Sequence, residues 1–255
     1  MRPWVAVLCG VALLVAAAVA LAPASLLDAR VDSVSGGRAR IENASGTVWN
    51  GSGDLVLQGS ERRAIAWHLD PWSLLRGEVR GTFANNGNSA RGAQFVVGRD
   101  KLQLDGFDLS MPMSALLRAA GAPALLSNVG GDVGVRVDRF NRGVDTLDVQ
   151  AAMQWRGASL PAFGPYPSVA LGDVHAELAG SGPEVSGPIA NSGGELEIEG
   201  TVTAAANGSP RLDARVRPRE GLDPNRAQAI AAALAAVGSP DPRGGYRLVW
   251  PRNGR

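Results

Sequence analysis

Residues 147–156 read LDVQAAMQWR, and their alternation decides the fold. Leu147, Val149, Ala151, Met153 and Trp155 take every second position, and Asp148, Gln150, Gln154 and Arg156 fill most of those between. A strand points successive side chains to opposite faces, so this stretch reads as a strand with one apolar and one polar face. The pattern recurs on both sides of it. Upstream, Leu55 and Leu57 alternate with Asp54 and Gln58, and Ile65, Trp67 and Leu69 with Ala64, Ala66 and His68. Val79 and Phe83 alternate with Glu78, Arg80 and Thr82, and Val133, Val135 and Val137 with Asp132, Arg136 and Asp138. Downstream, Val174, Ala176 and Leu178 oppose Asp173, His175 and Glu177; Leu196, Ile198 and Val202 oppose Glu195, Glu197 and Glu199; Leu212, Ala214 and Val216 oppose Asp213, Arg215 and Arg217. One-sided alternation belongs to antiparallel sheet, because parallel sheets are covered on both faces and read as continuous apolar runs.

Three short helices interrupt the strands. Asp70-Pro71 opens Trp72 to Arg76 and Gly77 closes it, Pro112 opens Met113 to Ala120 before Gly121, and Asp223-Pro224 opens Asn225 to Val237 before Gly238. Proline suits the first helical turn, where no N–H is needed, and glycine supplies a left-handed turn at the end. Helices this short cannot cap a sheet of roughly ten strands, so the sheet is expected to curl or fold onto itself with its apolar faces about 10 Å apart. Small inward residues among larger ones point to a mostly filled core with free sheet edges.

The N-terminal run Trp4 to Ala22, WVAVLCGVALLVAAAVALA, carries no charge. As a helix it would measure roughly 28 Å, close to the hydrocarbon thickness of a bilayer. Only Met1, Arg2 and Pro3 precede it, so the positive amino end is expected to stay cytoplasmic and the rest to be exported. Arg2, Trp4, Leu13, Leu14 and Leu21 are the anchor residues of this reading, with residues 1–27 as the anchor and 31–255 as one exported β-rich domain. The competing reading is a cleaved signal, since Ala20-Leu21-Ala22 and Ala22-Pro23-Ala24 resemble cleavage sites; Pro23 and the length of the run count against it.

The 25 basic and 24 acidic residues nearly cancel, which argues against nucleic acid as a partner. The single cysteine, Cys9, lies inside the apolar run, so the exported part has no disulfide to rely on. His68 and His175 fall on polar strand faces without companions at ligand spacing, so no metal or other cofactor is expected. Glu195, Glu197 and Glu199 share one strand face; a divalent ion could use them, and a solvated face explains them equally. No nucleophile elbow, catalytic triad order or phosphate loop stands out, and no enzymatic activity is expected.

The most distinctive stretch is Gly46-Thr47-Val48-Trp49-Asn50-Gly51, GTVWNG. Its glycines permit close backbone approach, and Trp49 reads either as a core tryptophan at a kinked strand or as an exposed anchor for a partner. With Gly46, Thr47, Trp49 and Gly51, the tryptophans Trp67, Trp72 and Trp155 form the candidate structural or interface set.

GTVWNG, the Trp67 strand running into Asp70-Pro71-Trp72 and Leu74-Leu75-Arg76-Gly77, the Gly-Gly-Asp-Val strand near residue 130, Met153 to Ala158, Asn191 to Gly194, and the closing Val-Gly-Ser-Pro-Asp with Tyr246-Arg247-Leu248 occur in a defined order. In that order, with the N-terminal anchor, they resemble the N component of the bacterial type II secretion system, the GspN family. The resemblance spans nearly the whole chain. It implies a single-pass inner-membrane protein with a periplasmic β-rich domain, an accessory subunit whose neighbours are the inner-membrane platform and the outer-membrane secretin. It carries no catalytic residues. The periplasmic part is also similar to AsmA-like proteins, whose curved sheets are associated with lipid passage, so a lipid-handling groove is the rival reading; a signal-cleaved soluble β module that binds polysaccharide is the third.

The topology is testable. A periplasm-active reporter fused after Arg255 is expected to be active while the chain pellets with inner membranes. A soluble product beginning near Pro23 or Ser25 would refute the anchor.

Overall fold

The computed structural model describes residues 22–37, 39–57, 62–85, 92–119, 128–162, 168–206 and 210–251. The apolar run predicted to cross the membrane, with Arg2, Trp4, Leu13, Leu14 and Leu21, lies outside these residues, apart from its last residue, Ala22. Among the described residues no helix is long and apolar enough to cross a membrane. The protein is mainly β and its strands pair antiparallel, as the one-sided alternation requires. Its contacts gather into two compact units, residues 1–97 and 98–255, between which the stretch read from sequence as one domain, 31–255, is divided.

In the first unit, helix α1 (Ser25–Ser35) precedes strands β1 (Ala39–Gly46), β2 (Asn50–Leu57), β3 (Arg63–Asp70), β4 (Val79–Asn85) and β5 (Ala93–Val97). Each strand pairs with the next in the chain, an up-and-down meander. Ile65 and Trp67 are buried and His68 is exposed, as the alternation predicts. Ala24, Ile41, Ile65 and Trp67 form the buried cluster, with Leu27 and Val31 of α1 and Leu55, Leu69 and Phe83 of the strands packed around it. Helix α1 was not anticipated. It corrects both the count of three helices and the start of the β-rich domain at residue 31, which falls inside the helix: Leu27 and Val31 are one helical turn apart and lie against the sheet. Gly36, in the left-handed conformation at φ 63°, closes it with an N–H to the Asp32 carbonyl. Asp28 turns the helix into a cover for the edge of β1, its carboxylate accepting the Ile41 N–H at 2.9 Å.

The second unit runs β6 (Leu102–Pro112), α2 (Met113–Ala119), β7 (Gly130–Arg142), β8 (Leu147–Leu160), β9 (Val169–Gly182), β10 (Glu184–Ser192), β11 (Leu196–Ala205), β12 (Arg211–Pro218), α3 (Pro224–Val237), β13 (Ser239–Pro240) and β14 (Tyr246–Trp250). Strands β6 to β12 pair in chain order, β14 adds to β12, and the two-residue β13 adds outside β14. Register aligns the apolar positions into rows across the sheet, one of them Val133, Trp155 and Val174. At one end of this face Ile230 and Leu234 of α3 are buried against Ala158, Leu171, Val174, Leu196 and Val216. At the other end Leu147, Val149, Val185 and Ala206 share a cluster, although β9 and β10 lie between β8 and β11 in the sheet. Three inter-strand steps span about 14 Å when flat, so this part of the sheet curls toward its apolar face. The side chain of Val185 closes to 3.2 Å from where Gly180 would carry a Cβ, so no side chain on β9 stands in its way there.

The helices therefore do cover part of the apolar surface, contrary to the expectation that they could not: α1 lies over β1–β3, and α3 over one end of β9–β12. Two of the three expected helices start by the predicted formula. Asp70 accepts the Trp72 N–H ahead of the 3-10 helix Pro71–Arg76, and Asp223 accepts those of Asn225 and Arg226 ahead of α3. One end departs from it. Gly77 is left-handed at φ 71°, but Gly238 is extended at φ −119°, because the chain passes directly into β13.

Candidate structural and interaction sites

The GTVWNG stretch is the turn of the β1–β2 hairpin. Thr47 N–H donates to the Asn50 carbonyl at 2.9 Å, and the Thr47 hydroxyl accepts the Asn50 N–H at 3.1 Å. Gly46 sits at φ 88°, where a Cβ would come within 2.5 Å of the Asn50 oxygen. The turn serves a tryptophan from another strand. Trp67 of β3 is buried, and its indole N–H donates to the Val48 carbonyl at 3.1 Å and the Thr47 carbonyl at 3.3 Å. A Cβ on Gly51, opposite Trp67 in register, would meet the indole ring at 2.5 Å. Gly46, Thr47, Gly51 and Trp67 thus form one arrangement, while Trp49 is half-buried in the turn itself. The turn also receives the chain leaving the N-terminal run: Val48 N–H donates to the Ala22 carbonyl at 2.9 Å, and Pro23 bridges Thr47.

The other two tryptophans lie apart from this arrangement. Trp72 is exposed on the 3-10 helix. Trp155, in the second unit, is half-buried on β8, and its indole N–H donates to the Gly130 carbonyl at 2.9 Å.

In the second unit a polar clamp that local sequence patterns did not reveal holds α3 to the sheet. Arg226, in the first turn of α3, meets Glu195 through two parallel hydrogen bonds, Nε to Oε1 at 2.6 Å and Nη2 to Oε2 at 2.7 Å, and also donates to the Ser168 carbonyl. Glu195 accepts the Ala170 N–H as well, at 3.0 Å. Beside it, Asn191 donates its amide to the Leu171 and Leu196 carbonyls and accepts the Ile198 N–H at 2.7 Å, tying β9, β10 and β11 together. The Arg226 guanidinium holds the Glu195 carboxyl below the usual carboxylate range, against the opposing pull of partial burial.

The glutamates considered as a metal surface are each paired with an arginine. Glu195 meets Arg226, Glu197 meets Arg217 at 2.7 Å, and Glu199 meets Arg215 at 2.7 Å. Asp213 pairs with Arg247 on the same face. His175 and Glu177 help line a polar trough of about 540 Å³ on β6–β9, together with Asp108, Asp132, Arg136 and Arg156. The last strand offers a different surface. β13 pairs only with Tyr246 and Arg247 on the outer side of β14, and among the described residues Leu248 to Trp250 have no strand partner there. Val249 and Trp250 are exposed, Trp250 at 60%.

A family model described as type II secretion system (T2SS), protein N, matches residues 37–249. No curated protein and no solved structure matches the chain.

Two outcomes test the roles given to these side chains. Trp67→Ala is expected to destabilise the first unit by about 3–5 kcal/mol, and Gly51→Ala to destabilise it by clash with the ring, whereas Trp72→Ala stays within about 0.5 kcal/mol. Hydrogen exchange over β1–β4 reads all three. For the clamp, a carboxyl whose pKa is lowered by folding contributes stability that is present above its unfolded value of about 4.3 and lost as pH falls through the folded value. Acid below that range is therefore expected to loosen α3. Glu195→Gln should remove this part of the acid dependence and cost about 1.5–3 kcal/mol at neutral pH, read as faster exchange over α3.

Proposed function

The chain belongs to the type II secretion system protein N family, and on that premise we propose that it is an accessory inner-membrane subunit of the secretion machine that acts by binding rather than by catalysis. A role in type II secretion, in the cell envelope and among other secretion subunits, follows from membership. The finer reading is that Arg2 stays in the cytoplasm, residues 4–22 cross the inner membrane, and the β-rich part stands in the periplasm between the inner-membrane platform and the outer-membrane secretin. Its contribution to the export of folded proteins is to hold partners together through protein–protein contacts.

The observation that supports binding through a strand is the outer side of β14. Edge strands with open hydrogen-bonding groups invite pairing, and soluble proteins usually blunt them. Among the described residues β13 pairs with β14 at Tyr246 and Arg247 alone, Gly238 lies against Leu248, and beyond them stand the exposed Val249 and Trp250. An extended segment of a partner can continue the sheet there, with main-chain hydrogen bonds giving affinity and Trp250 serving as the aromatic anchor.

A photo-crosslinking amino acid placed at Val249 in the full chain in membranes is expected to capture another secretion subunit, while the same probe at the exposed turn residue Val144 captures none. Absence of a protein adduct at residue 249, together with a stoichiometric phospholipid in native mass spectra of the purified chain, would replace this reading with lipid handling.

A further inference from the structure

We infer that the 3-10 helix Pro71–Arg76 is a membrane-contacting knuckle, with Trp72 and Leu75 seated in the interfacial layer of the same bilayer that the N-terminal apolar run enters; this rests on the anchor reading above.

The knuckle inverts the usual orientation of a surface turn. Its buried residue is a serine: Ser73, 1% exposed, donates its hydroxyl to the Asp70 carbonyl at 2.6 Å and accepts the Arg80 N–H at 3.1 Å. Its apolar residues face outward, Trp72 at 71%, Leu75 at 80%, and Leu74 and the following Val79 also exposed. A single exposed leucine needs no explanation, but a tryptophan and two leucines within one six-residue turn form a patch. The patch is held rigidly. Asp70 caps its start, Gly77 donates its N–H to the Leu74 carbonyl at 3.0 Å at its end, and Glu78 N–H reaches the Ser73 carbonyl at 3.2 Å.

Location identifies the occupant. The chain emerges from the apolar run at Ala22, where its carbonyl accepts the Val48 N–H, and Ala24 N–H donates to Gly46 at 3.2 Å. The neighbouring Trp49 carbonyl accepts the Leu69 N–H at 2.6 Å, and the knuckle begins just past Leu69 and Asp70. The point where the chain leaves the run and the start of the knuckle therefore share one end of the β1–β4 sheet, separated by two inter-strand spacings, about 10 Å. With Ala22 at the membrane surface, that sheet end lies beside the polar layer of the bilayer, about 5–8 Å deep on each side. Tryptophan is enriched in that layer, and Leu26 is exposed in the first turn of α1, four residues after the chain leaves the run. The nearby charges, Arg76 and Arg80 against Asp70 and Glu78, balance, so the contact depends on apolar insertion rather than on anionic lipid.

Spin labels in the full chain reconstituted in phosphatidylcholine vesicles test this. In a Cys9→Ser background, Leu75→Cys and Ala64→Cys carry the label in turn; Ala64 lies on the same strand, β3, about 20 Å back from the knuckle. The native Cys9, labelled alone, reports on the anchor. Collisions with oxygen, which partitions into lipid, are expected to exceed those with a water-soluble nickel chelate severalfold at residue 75 and to fall below them at residue 64. If residue 75 collides mainly with the chelate while Cys9 collides with oxygen, the knuckle inference is overturned and the anchor stands. A label at 75 shielded from both agents also overturns it, placing the patch against protein. If Cys9 proves aqueous the anchor reading falls, and oxygen exposure at 75 would still establish the membrane contact, whereas chelate exposure would remove it.

Discussion

A meander of amphipathic strands presents one apolar face along its whole width, and most of this protein's features answer the need to cover that face with very little helix. In the first unit, α1 contributes Leu27 and Val31 over Ile41, Ile65 and Trp67. In the second, α3 contributes Ile230 and Leu234 over Leu171, Val174, Leu196 and Val216. Where no helix reaches, the sheet curls instead, bringing Leu147, Val149, Val185 and Ala206 into one cluster. Burying a side chain of this size contributes about 1.5–3 kcal/mol, so each small cluster carries a large share of a marginal total.

Helices that cover a sheet at one end need to be held in register with it, and polar groups do this. Glu195 and Arg226 link the β10–β11 turn to the first turn of α3 in a geometry that a lysine could not reproduce, because two parallel bonds need the planar guanidinium. Asn191, on β10, uses both ends of its amide to bond β9 and β11. On the first unit Trp67 plays the corresponding part, filling the space over Gly51 while its N–H finds the carbonyls of the β1–β2 turn. In each case one side chain satisfies buried polar groups and fixes the relation of two elements together.

These arrangements explain which features local patterns could reveal. Strand β8 was plain, because five apolar residues at every second position admit only one period, and the proline-opened helices were plain because their caps are local. Helix α1 was hidden: Leu27 and Val31 are four apart, a spacing that fits both a helical turn and a strand face, and the stretch is only eleven residues long. The GTVWNG motif marked the right turn, but it drew attention to its own Trp49, whereas the indole that the turn holds belongs to Trp67, nineteen positions from its nearer acceptor, Val48. Glu195 and Arg226 are thirty-one positions apart, and nothing in either neighbourhood announces the other. Tertiary packing, not local composition, brings such groups together.

The outer face of the second unit bears on how this protein would meet partners. Glu197, Glu199 and Asp213 are matched by Arg217, Arg215 and Arg247, and the whole chain carries a formal net charge of +1. Exposed pairs of this kind contribute little to stability, and a nearly neutral molecule projects little long-range field. Recognition that cannot draw on charge steering proceeds at the slower rates of unsteered docking, about 10⁵–10⁶ M⁻¹s⁻¹, and has to obtain its specificity from short-range fit. That suits a subunit confined beside its partners, for which residence matters more than encounter. It also directs attention to the features that remain once the paired charges are set aside: the open outer side of β14 and the apolar knuckle between β3 and β4.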